Sequence, residues 1–202
     1  MKNFIISFEV NKNSFNKNYI SLNLEWLEFL NSLQINPIHV FRYKSKQNLE
    51  KTFKNINGLI IIGGGEIYKI SNKKSDYYRD KSEMELINFA LKKKLPIIGI
   101  CRGFQLFASF LGCQIKKVSN HYNKNHDIQI FGNKKITVNS FHLNKIVDRN
   151  KLFKVLGHKD NILEIGYIKK YNFLGLMFHP ERKNKSQKFI NKIIKNFLLN
   201  KL

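Results

Sequence analysis

Three short stretches of this sequence carry residues able to do chemistry together. Cys101 lies in PIIGICRGFQLF (96–107), where an apolar run gives way to a helix-like stretch containing glycine. His179 and Glu181 lie in GLMFHPER (175–182), again where an apolar run ends. The third stretch, IIIGGGEIY (60–68), ends an apolar run in Gly63-Gly64-Gly65. A thiol, an imidazole, a carboxylate and free backbone N–H groups are the parts of nucleophilic acyl transfer. In that chemistry Cys101 attacks, His179 moves the proton and Glu181 orients the imidazole. Pro180 biases His179 towards extended backbone, and residues i and i+2 of extended chain share a side, so Glu181 can approach the ring. Glycines 63–65 and the N–H of Arg102 are candidate oxyanion donors. Each piece also has a plainer reading: Cys101 as a small buried residue, FHPE as a capped turn with an exposed histidine, and GGG as a tight turn. The glycines match neither the dinucleotide nor the P-loop pattern.

The elements around these stretches predict where they sit. NFIISFEV reads as a buried strand, and the polar NKNSFNKNYI as a loop. Leu22, Trp26, Phe29, Leu30 and Leu33 repeat at helical spacing. PIHVF (37–41) reads as a second strand, with Pro37 at its entry, and residues 44–55 as a basic helix. GLIII (58–62) and PIIGI (96–100) are further strands. Asp80 and Glu83 have capping-box spacing and predict a helix starting near residue 81. FQLFASFLG reads as a helix closed by Gly112. Alternating strands and helices predict an α/β fold with a parallel sheet. Beyond residue 113 the candidates are short strands (QIKKV, DIQIF, KKITVNSF, ILEIGYI, FLGLMF), predicting an antiparallel extension, and then one amphipathic helix, KSQKFINKIIKNFLLNKL. Residues 119–134 read either as a lid or as an exposed hairpin. Cys101 thus falls at the C-terminal end of a parallel strand, where ligand sites of open α/β sheets gather. An ordinary thiol is about 3% thiolate at neutral pH, and a helix N-terminus favours the anion.

Bulk properties narrow the class. The 202 residues fit a single domain over 1–202, large enough to bury a core. No apolar run reaches the roughly 18 residues of a membrane span, and the N-terminus lacks signal-peptide features. The only two cysteines, Cys101 and Cys113, would lie at opposite ends of one helix, too far apart for a disulfide. Cys113 reads as packing. No Cys/His spacing resembles a zinc site, and the expectation is no metal and no cofactor. A cytoplasmic location follows from these features. The net charge of +22 comes from lysines spread along the chain without a nucleic-acid motif, so it predicts neither nucleic-acid nor membrane partners. It would draw in an anionic substrate. The sequence does not determine an oligomeric state.

Together the motifs resemble the class I glutamine amidotransferase family, in its γ-glutamyl hydrolase-like branch (peptidase family C26). The family's G-x-C-x-G-x-Q stands here as Gly99-Ile100-Cys101-Arg102-Gly103-Phe104-Gln105, and its H-P-E as His179-Pro180-Glu181. Similarity extends over IIIGGGE (60–66), RDKSEMELINFALKKKLPIIGICRG (79–103) and VNSFH (138–142). The resemblance implies a flavodoxin-like fold: a central, mostly parallel sheet flanked by helices, with an antiparallel extension. It implies a Cys101–His179–Glu181 triad that cleaves a γ-glutamyl amide through a thioester. The oxyanion donors would be backbone N–H groups of Arg102 and of Gly63 or Gly64. Gln105, Asn139, Ser140 and Phe141 would hold the glutamyl head group, Ser140 and Phe141 through backbone contacts; Phe141 alternatively packs in the core. Within the branch, the C-R-G variant and VNSFH resemble stand-alone hydrolases of larger γ-glutamyl compounds. Overall texture resembles those that split glutamate from a cytidine diphosphate carrier in capsule biosynthesis. Arg42, Lys44 and Arg79 are candidate contacts to such a diphosphate. The alternatives are a glutaminase subunit feeding ammonia to a partner synthetase and a non-catalytic binding relative.

Overall fold

The computed structural model describes residues 1–12, 14–40, 55–131 and 134–202. Its strands are β1 (Lys2–Ile6), β2 (Glu9–Lys12), β3 (Asn18–Ser21), β4 (Ile35–His39), β5 (Gly58–Ile61), β6 (Ile97–Ile100), β7 (Gln114–Lys117), β8 (Lys124–Ile130), β9 (Lys135–Ser140), β10 (Asn144–Val147), β11 (Lys154–Lys159), β12 (Ile162–Ile168) and β13 (Phe173–Leu176). The helices are α1 (Leu24–Ser32), α2 (Tyr68–Ser71), α3 (Lys74–Lys92), α4 (Arg102–Phe110) and α5 (Gln187–Leu198). Nine strands form one sheet in the order β4-β1-β5-β6-β13-β12-β11-β8-β9. From β4 to β13 the neighbours are parallel, and from β13 to β9 they are antiparallel. The expected parallel sheet with an antiparallel extension is therefore present.

Strand alternation builds the core on both sheet faces. In β1, Phe4 and Ile6 face Trp26, Phe29 and Leu30 of α1 and Ile190, Ile194 and Phe197 of α5. Ile5 faces the other way, into the cluster that holds Leu86, Ile87 and Ala90 of α3 and Phe104 and Phe107 of α4. Pro37 sits inside β4, which is tolerated because β4 is the sheet edge. Gly112, with φ +88, follows the end of α4 and makes the left-handed exit that the sequence predicts. No helix among the described residues is long and apolar enough to cross a membrane.

Several elements differ from their sequence reading. NKNSFNKNYI is not simply a loop: its end joins the β2/β3 hairpin, in which Val10 pairs with Ile20. Asparagine and lysine on the open face hide that two-residue period. The helix expected near residue 81 begins at Lys74, so Asp80 and Glu83 lie within α3 and do not cap it; Asp80 instead accepts from the Tyr68 N–H at the start of α2 (2.8 Å). Residues 124–130 of the lid-or-hairpin segment form β8, which is paired within the large sheet to β9 and β11. Strands β10 and β11 have no counterpart in the sequence reading. The basic helix predicted over 44–55 lies, but for its last residue, outside the described residues, as do Arg42 and Lys44.

Candidate active site

The site is assembled by two adjacent parallel strands. β6 and β13 pair in register, Ile100 opposite Leu176, so both chains leave the sheet at the same edge. The Cys101 N–H bonds the Leu176 carbonyl at 2.6 Å, and the Cys101 carbonyl accepts from the Gln105 N–H, starting α4. Between strand and helix, Cys101 takes φ 48°, ψ −103°. That conformation costs on the order of 1–3 kcal/mol for a residue with a Cβ, and it is the geometry of a nucleophile elbow. Gly103 makes the elbow possible, since a Cβ there would lie 2.2 Å from the Ile61 carbonyl oxygen.

His179 arrives from β13 through Met177 and Phe178 and is 3% exposed. Its Nδ1 lies 2.6 Å from Glu181 Oε1, as the i, i+2 argument expects, and its ring is the neighbour that most strongly lowers the Cys101 thiol. The structure thus brings together the three side chains that the sequence singled out. Burial alone pushes the Cys101 thiol up, but the charge and hydrogen bond of His179 outweigh it and bring it below the usual thiol value. For His179 burial pulls down, while Cys101 and Glu181 raise it to about 10. Each partner thus favours the charged form of the other, thiolate on Cys101 and imidazolium on His179.

Gly63 packs flat against this pair: a Cβ on it would lie 2.5 Å from His179 Cε1. Beneath the turn, buried Arg79 donates to the carbonyls of Ile62 (3.2 Å), Gly63 (2.8 Å) and Gly64 (2.6 Å), and to Glu83 (2.9 Å). Each carbonyl drawn towards Arg79 turns the N–H of the same peptide the opposite way. The N–H groups of Gly63 and Gly64 consequently point away from Arg79. The first N–H groups of α4, Arg102 included, have no intrahelical acceptor. Arg79, a candidate diphosphate contact in the sequence, is corrected here, because its guanidinium is spent on the glycine turn.

The Arg102 side chain, fully buried, pairs with Asp80 and Glu83 of α3 and donates to the Glu66 carbonyl at 3.1 Å. The apparent capping pair is therefore one half of a buried Arg79–Glu83–Arg102–Asp80 network. Gln105 lies buried on α4, one turn beyond Cys101. The expectation for Asn139 changes. The Asn139 carboxamide donates to the His179 carbonyl (2.8 Å) and accepts from the His179 N–H (2.8 Å), so it carries the H-P-E turn instead of a substrate. The Ser140 hydroxyl donates to the His121 carbonyl. Phe141 sets its ring edge-on to His179 at 5.8 Å, with the Arg182 guanidinium 4.3 Å from its centroid.

Sequence reasoning missed Asn184, whose side chain accepts from the Asn139 N–H (2.8 Å) and donates to the carbonyls of His179 (3.0 Å) and Arg182 (2.7 Å). An asparagine just past H-P-E was the available signal. It also missed a buried group, His121, His126, His142 and Glu164. His121 and His126 stand at H-x4-H spacing, which was the available signal, while His142 and Glu164 come from separate segments.

The Peptidase C26 family profile matches residues 6–181, and the chain belongs to that family. The γ-glutamyl-CDP-amidate hydrolase of Campylobacter jejuni is 34% identical over 131 residues, 64% of this chain and 64% of that protein. One subunit of the glutamine-hydrolyzing GMP synthase of Methanococcus aeolicus is 30% identical over 138 residues, 63% of this chain and 66% of that protein. The chain thus spans just under two thirds of the length of these relatives. A glutamine amidotransferase structure from Thermotoga maritima superposes with a TM-score of 0.70 at 15% identity, covering 99% of this chain and 97% of that one, which supports the fold. The family and its amidotransferase relatives support a hydrolase.

Proposed function

We propose that this protein cleaves a γ-glutamyl amide with Cys101 as nucleophile, His179 as proton carrier and Glu181 as orienting carboxylate. The observation that carries the reading is the contact of a strained, buried thiol with an imidazole whose other nitrogen is held by a carboxylate at 2.6 Å. The thiolate attacks the γ-carbonyl carbon, and the oxyanion develops against backbone N–H groups of Arg102 and of Gly63 or Gly64. His179 delivers its proton to the leaving nitrogen, and the C–N bond breaks to give a glutamyl thioester. The neutral imidazole then takes a proton from water, hydroxide adds to the thioester, and glutamate leaves as the thiol is regenerated. Gln105 and the main chain of Ser140 and Phe141 line the glutamyl side.

For the substrate, γ-glutamyl-CDP-amidate is the best-supported candidate, with cytidine diphosphoramidate as the leaving group and glutamate as the second product. The similarity to the Campylobacter protein supports it, and the net charge of +22 suits a diphosphate. The similarity to a GMP synthase subunit favours a second reading, a glutaminase that passes ammonia to a synthetase. Mass spectrometry of the products from γ-glutamyl-CDP-amidate and from glutamine separates them. Glutamate from the nucleotide alone supports the first; glutamine hydrolysis stimulated by a synthetase supports the second. Equal glutamate release by wild type and Cys101→Ala would overturn both.

A further inference from the structure

On the antiparallel half of the sheet, four side chains able to bind a metal converge in the interior. They are His121 and His126, which flank the entry to β8, His142 just past β9, and Glu164 on β12. Glu164 and His142 have fully buried side chains. His121 Nε2, both nitrogens of His126, His142 Nε2 and both carboxylate oxygens of Glu164 are buried without a hydrogen-bond partner. Leaving one such group unpaired costs about 1–3 kcal/mol, more if it is charged, so a cluster of six demands an occupant.

The tautomers say what kind of occupant. His121 Nδ1 lies 3.0 Å from the Ser119 carbonyl and His142 Nδ1 lies 3.0 Å from the Asn144 carbonyl. A carbonyl only accepts, so both Nδ1 atoms carry hydrogen, and both Nε2 atoms of the neutral rings are bare lone pairs. His142 Nε2 faces Glu164 Oε1 at 3.4 Å, and His126 Nε2 faces the same oxygen at 3.3 Å, neither with hydrogen-bond geometry. A lone pair turned towards a carboxylate, as at His142, repels unless a cation lies nearby. Donors on a tetrahedral ion with bonds of about 2.0–2.1 Å stand about 3.3–3.4 Å apart, which is the spacing seen. One donor atom from each of His121, His126 and Glu164 lies within 4.8 Å of the others. Imidazole Nε2 held by Nδ1–H to a carbonyl is also the usual outer-shell arrangement of metal-binding histidine.

We propose that His121, His126 and Glu164 bind one divalent transition-metal ion, zinc by preference. Two imidazoles and a carboxylate, all buried, suit that ion. It ties the segment entering β8 to Glu164 of β12, which the end of β9 meets through His142. The same stretch of β9 carries Asn139, which holds the main chain of His179, and Ser140, which bonds the His121 carbonyl. The ion therefore stiffens the wall of the active site without entering its chemistry.

The test uses the full chain, stripped with a chelator, dialysed and titrated with zinc. Metal content is read by mass spectrometry, affinity by calorimetry and geometry by cobalt substitution. The Cys101→Ala protein serves as the background, so that the thiolate cannot take the metal. The expected result is about one zinc per chain, a zinc-dependent rise in Tm and a tetrahedral cobalt spectrum. Glu164→Gln and, as a second variant should the first fail to fold, His126→Gln should weaken binding by at least about 100-fold. No stoichiometric zinc in the background protein, or undiminished binding in a folded variant, overturns the site and makes a proton on His142 the missing cation.

Discussion

The Cys101 thiol is buried yet brought below its usual value by one neighbour, His179, which makes it sensitive to every change in the imidazole. Cys101→Ala should abolish glutamate release while leaving Tm within a few degrees, checked by an amidase assay beside thermal melting. Glu181→Gln removes the charge that orients and supports His179. It should lower kcat by about 10²–10⁴-fold, as loss of the equivalent carboxylate does elsewhere. The pH profile follows from the direction of each shift. Cys101 sits below its ordinary value and loses its charge as pH falls through that lowered value, ending activity on the acid side. His179 is raised to about 10 and loses its proton as pH rises through that value, ending activity on the alkaline side. A plot of kcat/KM against pH should therefore be bell-shaped, with its alkaline limb near 10. Cys113 is the internal control, because burial and Asp148 push its thiol up to about 11. Iodoacetamide at neutral pH should label Cys101 well before Cys113, read by peptide mass spectrometry.

At the scale of elements, the site depends on how α3 grips the ends of β5 and β6. Arg79 pulls the glycine-turn carbonyls down, and Arg102 ties the first turn of α4 to Asp80 and Glu83. Arg102→Met keeps bulk but leaves two buried carboxylates with too little positive charge. Breaking such a network costs about 3–5 kcal/mol, so the urea midpoint should drop markedly. Gly63→Ala tests the other side. A methyl 2.5 Å from His179 Cε1 must displace the ring, and a shift near 1 Å costs on the order of 100-fold in kcat, with circular dichroism unchanged. The misreading of Asp80 and Glu83 belongs to this scale. A D-x-x-E spacing marks a helix start, but it equally puts two acids on one helix face, and only the distant Arg102 distinguishes the cases.

Across the whole molecule, the charge of +22 is a field more than a contact. If the substrate carries a diphosphate, kcat/KM should fall as salt is raised from low ionic strength to about 0.15 M, where the Debye length is about 8 Å. Glutamine, with no net charge, should show little salt dependence. Stopped assays across a salt series would read the difference.

Much of this protein was legible in one dimension because its signals are local. Apolar runs ending in glycine or cysteine marked β5 and β6, the i, i+2 spacing paired His179 with Glu181, and a glycine closed α4. What only the tertiary structure decided is adjacency between distant segments. It placed β13 beside β6, turned Asn139 from a substrate contact into the support of His179, spent Arg79 on the glycine turn and gathered three histidines around Glu164. Backbone periodicity is written in neighbouring residues, whereas a partner across the sheet is chosen by register and packing of the whole chain, and no local spacing encodes that choice.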